Sequence, residues 1–129
     1  MTTPVYIEQA VAAALGASPE ITALCGDRIY PFRLPKEAIL PAVVYRRVDS
    51  APAYTLLGYS SEAVTLAVSS FAQVYEGAKE LALAVRGVMA APSLNAILLK
   101  EADLDDKEIE TPCVIAEYLC QQSGGHYHG

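Results

Sequence analysis

Apolar and polar side chains alternate most regularly over residues 61–71, where Val64, Leu66 and Val68 are separated by smaller or more polar residues. Because successive side chains of a strand point to opposite faces, this period predicts a strand with one packed face. The segment over residues 43–48 is rich in β-branched and aromatic residues and predicts an earlier strand. We expect the two strands to pair, since only a short connection separates them.

Helical periods and their end signals predict three helices. The first covers residues 4–16. The second is one to two turns long, with Ser18 as its N-cap, Pro19 at its first position and Gly26 at its end. The main helix covers residues 73–90, where apolar residues recur every three to four positions. Its apolar stripe predicts packing against the sheet.

The remaining segments complete a small α+β fold. Three prolines break regular structure over residues 31–41, which we expect to form an ordered loop. Two more strands, expected to pair antiparallel, are predicted over residues 96–103 and 113–122. The order α-α-β-β-α-β-β then predicts about four mainly antiparallel strands with the helices packed on one face. We expect a single domain over residues 1–122 and a flexible tail over residues 123–129.

Length and charge narrow the class of protein. The chain has 129 residues, 53% of them apolar, which suits one globular domain and argues against disorder. Nine basic and fifteen acidic residues give a net charge of −6, so nucleic acid is not an expected partner. No apolar run is long enough to span a membrane, and the N-terminus has no basic region followed by an apolar stretch, so we expect neither a membrane span nor a signal peptide. The three cysteines lack redox or metal-binding spacing, and we expect buried thiols.

Residue types that carry catalysis are sparse. The two histidines, His126 and His128, lie in the glycine-rich tail, so no histidine is expected on a rigid element. The acidic stretch that begins at Asp103 lacks the glycine and glutamate positions of a calcium loop. Phosphate-binding glycine loops and nucleophile elbows are also missing. We therefore expect no enzymatic activity, no metal and no cofactor.

Charge is distributed unevenly along the chain. Residues 28–47 hold five basic residues and one acidic residue, whereas residues 100–129 hold two basic and seven acidic residues. Opposite charge on two parts of one small domain allows copies to associate head to tail, and such an interface can close into a ring. Assembly is therefore favoured over catalysis.

Two short motifs lie between the second helix and the strand that follows it. The first is Gly-Asp-Arg-Ile-Tyr-Pro at residues 26–31, and Pro-Ala-Val-Val-Tyr follows at residues 41–45. Together with the strand that ends at Phe71 and the helix after it, these motifs resemble the tail completion, or tail terminator, proteins of tailed bacteriophages and prophages. The resemblance covers about residues 5–90, and we find no family motif in the C-terminal third.

The resemblance implies a structural virion protein without catalysis or cofactor. Such proteins form a ring, typically sixfold, at the head-proximal end of a long tail. There the ring stops polymerisation of the tail tube and presents the surface that docks on the head connector. The implied partners are other copies of the chain, in a hexamer, together with the tail tube protein and the head-tail connector protein. The implied location is the virion, after assembly in the host bacterial cytoplasm. The fold known for the family, a small sheet with helices on one face, agrees with the predicted one.

The motif residues also have structural interpretations. Gly26 can end the short helix with a positive φ, Asp27 can hold its loop by an Asx turn, and Pro31 fixes the exit of the chain. Pro41 opens the second motif and limits the loop before the strand. Arg28 is either a partner of Asp27 and its loop or an exposed interface contact, and the sequence does not decide between these two roles.

Arg46 and Arg47 point to opposite faces of their strand, so one of them must leave the packed face. We expect the exposed member to pair with the acidic loop of a neighbouring copy, over residues 103–110. The candidates for the interface between copies are Arg28, Arg46, Arg47, Asp103, Asp105, Asp106 and Glu108.

Two alternatives stay open at this point. The first is a small ligand-binding or regulatory α+β module with a pocket between helix and sheet, which predicts a monomer or dimer stabilised by a small molecule. The second is another phage neck or minor tail component.

Overall fold

A computed structural model describes residues 7–54, 60–94, 96–104 and 111–123, which form three helices and five strands of one α+β domain. The elements are α1 (Ile7–Ala17), α2 (Pro19–Cys25), β1 (Ile29–Pro31), β2 (Ala42–Tyr54), β3 (Ser60–Phe71), α3 (Tyr75–Met89), β4 (Ala96–Leu104) and β5 (Cys113–Ser123). Residues 1–6, where the first helix was expected to begin, and residues 124–129 of the predicted tail lie outside the described residues.

The strands form one mixed sheet in the order β1-β2-β3-β5-β4. β1 runs parallel to β2, and the other neighbouring pairs are antiparallel, including the predicted pairs β2–β3 and β4–β5. The expectation of about four strands is wrong by one. β1 escapes prediction because it has only three residues and ends in Pro31, which has no N–H for a ladder hydrogen bond.

The start and end of α2 follow from the predicted end signals. The Oγ atom of Ser18 accepts the N–H of Ile21 at 3.3 Å, and Pro19 is the first helical residue. At the other end, Gly26 has a φ of 62°, and its N–H donates to the carbonyl of Thr22 at 2.8 Å. The chain then turns directly into β1.

The helices lie on one face of the sheet, as predicted: α1 and α3 pack on the strands, and α2 packs against α1 and α3. The core there joins residues of α1 and α3, including Leu15 and Leu81, to the inward side chains of the central strands, such as Leu66 and Tyr118. Each of these side chains is fully buried, and burial of a leucine of this kind contributes about 1.5–3 kcal/mol.

The opposite face of the sheet has no helix layer among the described residues. At one end the loop between β1 and β2 covers it, because Leu34 and Leu40 pack against Val44, Phe71 and Cys113. The predicted ordered loop over residues 31–41 is therefore tied to the sheet by its own small apolar cluster.

Candidate interaction surfaces

The basic residues lie beside one edge of the sheet, and the described acidic residues Glu101 and Asp103 lie at the other. β1 forms one edge, with Arg28 directly before it and with Arg46 and Arg47 on the neighbouring strand β2. β4 forms the other edge and carries Glu101 and Asp103. Four interstrand spacings of about 4.8 Å separate the edges by roughly 19 Å, so side chains at one edge do not reach the other.

Arg28 holds the turn that leads into β1. Its Nε atom donates to the carbonyl of Pro41 at 3.0 Å, and its own carbonyl accepts the N–H of Val43 at 3.0 Å. Asp27 is exposed, and its backbone carbonyl accepts the N–H of Ile29 at 2.8 Å. Arg28 thus joins the two sequence motifs within its own chain, which corresponds to the structural one of its two predicted roles.

Arg46 and Arg47 are both exposed, so neither side chain is buried under the helices. Arg46 lies opposite Ala67 and Arg47 opposite Leu66 in the β2–β3 ladder, and the ladder shifts by one residue directly after Arg47. Both arginines line a groove of about 370 Å³ together with Glu8, Pro31, Phe32 and Tyr45. The β1 edge therefore presents two guanidinium groups beside an aromatic ring.

Phe32 is a feature of this basic edge that the sequence analysis missed. Its φ is 72°, and the N–H of Arg33 donates to the carbonyl of Pro31 at 2.8 Å, which makes Phe32 the centre of a γ-turn. The ring is 60% exposed, and the Arg33 guanidinium carbon lies 4.7 Å from the ring centroid. A prolyl-phenylalanyl sequence alone does not indicate this turn, because phenylalanine rarely takes a positive φ.

At the opposite edge, two contacts join β4 to α3. The Tyr75 hydroxyl donates to Oδ2 of Asp103 at 2.6 Å, and Arg86 forms a salt bridge with Glu101 at 2.8 Å. The hydrogen bond to Asp103 is the largest cause that raises the pKa of the Tyr75 phenol. The other predicted acidic candidates, Asp105, Asp106 and Glu108, lie outside the described residues.

A groove of about 570 Å³ runs between α3 and β4, and we call it the α3–β4 groove. Its lining combines apolar and charged side chains from the solvent face of the helix and from the edge strand: Tyr75, Glu76, Lys79, Glu80, Ala82, Leu83, Arg86 and Glu101. Leu83 is 66% exposed although it is a large apolar residue. The acidic edge therefore carries an apolar depression as well as negative charge.

The described part of the chain holds no cluster of three or more residues that could bind a metal ion. None of its helices has the length and apolar character needed to cross a membrane. Cys25, Cys113 and Cys120 are buried and unpaired, as expected. Burial raises the pKa of Cys113 to about 12 and that of Cys120 to about 11, so both are protonated and unreactive near neutral pH.

Helices on one face of a five-stranded mixed sheet, with oppositely charged edges, define a small α+β domain that offers surfaces for other proteins. The family model of tail completion protein gp17 matches residues 9–114, and the chain belongs to that family. The match extends through the described residues of β4 to the start of β5, beyond the region that carried the sequence motifs. It makes the chain a structural protein of a phage tail.

The fold is also found in a solved virion. The chain is similar to a chain of the virion of a native gene transfer agent particle, with a TM-score of 0.75 and 16% sequence identity. The similarity covers 88% of this chain and 92% of that one. No curated protein sequence matches the chain.

Proposed function

We propose that this protein is a tail terminator: a homo-oligomeric ring at the head-proximal end of the tail that stops tube polymerisation and joins the tail to the head connector. The family match over residues 9–114 carries the proposal, and the likeness to a virion chain supports the fold. The partners are then the tail tube protein, the head-tail connector protein and further copies of the chain, with a hexamer as the expected ring.

The placement of charge supports a head-to-tail arrangement of the copies. Because the basic and acidic groups occupy opposite sheet edges, the basic edge of one copy faces the acidic edge of the next when copies follow one another in the same sense. A repeated contact of this kind closes into a ring when the rotation per copy divides a full turn.

We further propose that Arg46 and Arg47 pair with the acidic stretch of the neighbour, from Asp103 through Asp105, Asp106 and Glu108. Exposed ion pairs contribute only about 0.2–1 kcal/mol each. They therefore set the orientation of the copies more than the strength of the contact. Arg28 contributes less to this surface, since its Nε atom is already bonded to Pro41.

Tube assembly in the presence of the protein tests the proposal. The purified full-length chain is added to the cognate tail tube protein during polymerisation, and tube ends and lengths are measured by negative-stain microscopy. We expect rings with an open centre on one end of each tube and tubes that stop growing from that end. Binding along the tube walls would instead indicate another tail component, and unchanged tubes with no bound protein would contradict the proposal.

A light-scattering measurement on a sizing column separates the ring from the ligand-binding alternative. A ring of about six copies supports the terminator. The ligand-binding module would be favoured if the protein is a monomer that does not bind tube ends and if a small molecule raises its unfolding temperature.

A further inference from the structure

The γ-turn at Phe32 exposes an aromatic side chain in a costly backbone conformation. Phe32 is fixed there by two backbone hydrogen bonds: its own N–H donates to the carbonyl of Tyr45 at 2.8 Å, and Arg33 closes the turn onto Pro31. A non-glycine residue at a φ of 72° is strained, and exposure of the apolar ring to water further raises the free energy of this conformation. Aromatic and arginine side chains placed side by side are typical anchors of protein interfaces.

The α3–β4 groove has properties complementary to this anchor. Glu76 and Glu80 are one helical turn apart and therefore lie on the same side of α3 as Leu83, three residues further on. Neither glutamate forms an ion pair with another described residue, whereas Arg86 and Glu101 are paired with each other. The groove thus offers an exposed leucine one turn beyond two carboxylates that are unpaired among the described residues, and a volume of about 570 Å³.

The groove and the anchor cannot meet within one chain. Phe32 follows β1 at one edge of the sheet, and the groove lies beside β4 at the other edge, roughly 19 Å away at about 4.8 Å per strand. An occupant of the groove must therefore come from another molecule, and a second copy of this chain supplies the matching ring and positive charge.

We propose that Phe32 and Arg33 of one copy dock in the α3–β4 groove of the next copy, with the Phe32 ring on Leu83 and the Arg33 guanidinium between Glu76 and Glu80. The inference rests on the proposed ring and assigns the apolar anchor of its repeated contact. It gives the ring a source of affinity that the exposed pairs at Arg46 and Arg47 lack, since aromatic burial is the larger contribution. Because the two surfaces differ, the contact is head to tail.

Two single substitutions remove the two halves of the contact without a loss of fold. Phe32→Gly removes the ring and relieves the positive φ, so the monomer should unfold at an equal or higher temperature. Leu83→Glu places a charge on an exposed helix position. Ile39→Ser is the matched control, because Ile39 is a 67% exposed apolar residue of the same loop. We expect self-association of the full-length chain to weaken at least tenfold in the first two variants and to stay unchanged in the control, by sedimentation velocity.

A mixture of the two defective variants gives the sharper result. The intact groove of Phe32→Gly can receive the intact anchor of Leu83→Glu, but no third copy can join at either end. A 1:1 dimer and nothing larger is therefore expected from the mixture. Likewise, Phe32→Cys mixed with Leu83→Cys should form a disulfide-linked dimer under mild oxidation, which detects the contact even where wild-type rings require a tube end.

The outcomes separate this inference from the ring itself. Rings that form equally well with Phe32→Gly and Leu83→Glu would overturn the docking and leave the ring in place. A wild-type chain that stays monomeric alone and on tube ends, with no link between Phe32→Cys and Leu83→Cys, would overturn both.

Discussion

The hydroxyl of Tyr75, the first residue of α3, donates to Oδ2 of Asp103 near the end of β4 across 2.6 Å. The bond connects residues 28 positions apart in sequence and, with the Arg86–Glu101 salt bridge, fixes the helix against the edge strand. Asp103 thus already has a partner in its own chain.

Titration of the tyrosines tests this bond. The pKa of Tyr75 is raised above 10.0, chiefly by its hydrogen bond to Asp103, so the contact is fully present below pH 10 and is lost as the pH rises through the raised value. We expect the phenol resonance of Tyr75, followed by NMR, to move at a lower pH in Asp103→Asn than in wild type. An unshifted midpoint would show that the bond does not form in solution. Burial is the main cause that raises the pKa of Tyr118 to about 12. Tyr118 is the internal reference because Asp103 does not contribute to its pKa.

The backbone conformation of Gly26 at the end of α2 predicts that its replacement destabilises the protein. Its φ of 62° is unfavourable for any residue with a Cβ, whereas space is not limiting, since a Cβ there would meet the Arg28 side chain at an ordinary 3.5 Å. Its ψ of −132° also lies outside the left-handed helical region, so Gly26→Ala should lower the free energy of unfolding by about 1–3 kcal/mol through backbone strain alone. Urea unfolding measures the loss.

Gly87→Ala is the matched control for this substitution. Gly87 lies inside α3, has no positive φ and has nothing within 4 Å of an added Cβ. Because alanine favours the helix over glycine, the same change there should raise stability by about 0.5–1 kcal/mol. Equal losses at both positions would argue against strain at Gly26.

The three thiols should not react with thiol reagents in the native protein. Burial keeps Cys113 and Cys120 protonated up to a pKa of about 12 and about 11, and burial also raises the pKa of Cys25. A chromogenic disulfide reagent at pH 8 should therefore react with none of them in the folded chain and with all three in denaturant. The same shifts predict that stability falls as the pH rises above 9.0, the ordinary thiol value, because the unfolded chain releases these protons first. Rapid labelling of one thiol in the native state would reveal local opening at that cysteine.

Charge reversal tests the proposed orientation of the copies. Arg46→Glu with Arg47→Glu should weaken self-association about two- to tenfold at low salt and much less at high salt, since exposed pairs are screened. Adding Asp105→Lys and Asp106→Lys to the same chain should restore assembly. On the exposed side of α2, away from the proposed contact, Glu20→Lys makes the same acid-to-base change as the lysine substitutions and is their control. Assembly that is the same in all variants across ionic strength would contradict the role of these pairs.

The sequence allowed most of the fold to be predicted where pattern and packing agree. The alternation at Val64, Leu66 and Val68 predicted β3 because these side chains fill the core, and the end signals at Ser18 and Gly26 predicted α2 for local reasons. By contrast, β1 forms by pairing in parallel with β2, and a segment of three residues has no local pattern that predicts such a partner.

The candidate surfaces were predictable only in part. The basic and acidic segments are visible as composition, but their separation at opposite edges follows from the strand order, which places β5 between β3 and β4. The exposed ring of Phe32 depends on a γ-turn against the backbone of Tyr45, and the α3–β4 groove depends on how α3 lies beside the edge strand. Both are tertiary features that side-chain periodicity does not encode.

The unequal sheet edges also bear on strand addition between copies. At the β1 edge, the N–H of Ile29 is bonded to Asp27 and Pro31 has none, but β1 covers only Val43–Tyr45, so no described strand pairs with the outer side of β2 from Arg46 to Tyr54. At the other edge, β4 is nine residues long and no described strand pairs with its outer side. Both edges therefore hold strand backbone without a described partner, and the open part of β2 carries Arg46, Arg47 and Pro52 with a register shift after Arg47, all of which hinder the addition of another strand. Contacts between copies at the β2 edge are thereby favoured through side chains over backbone pairing.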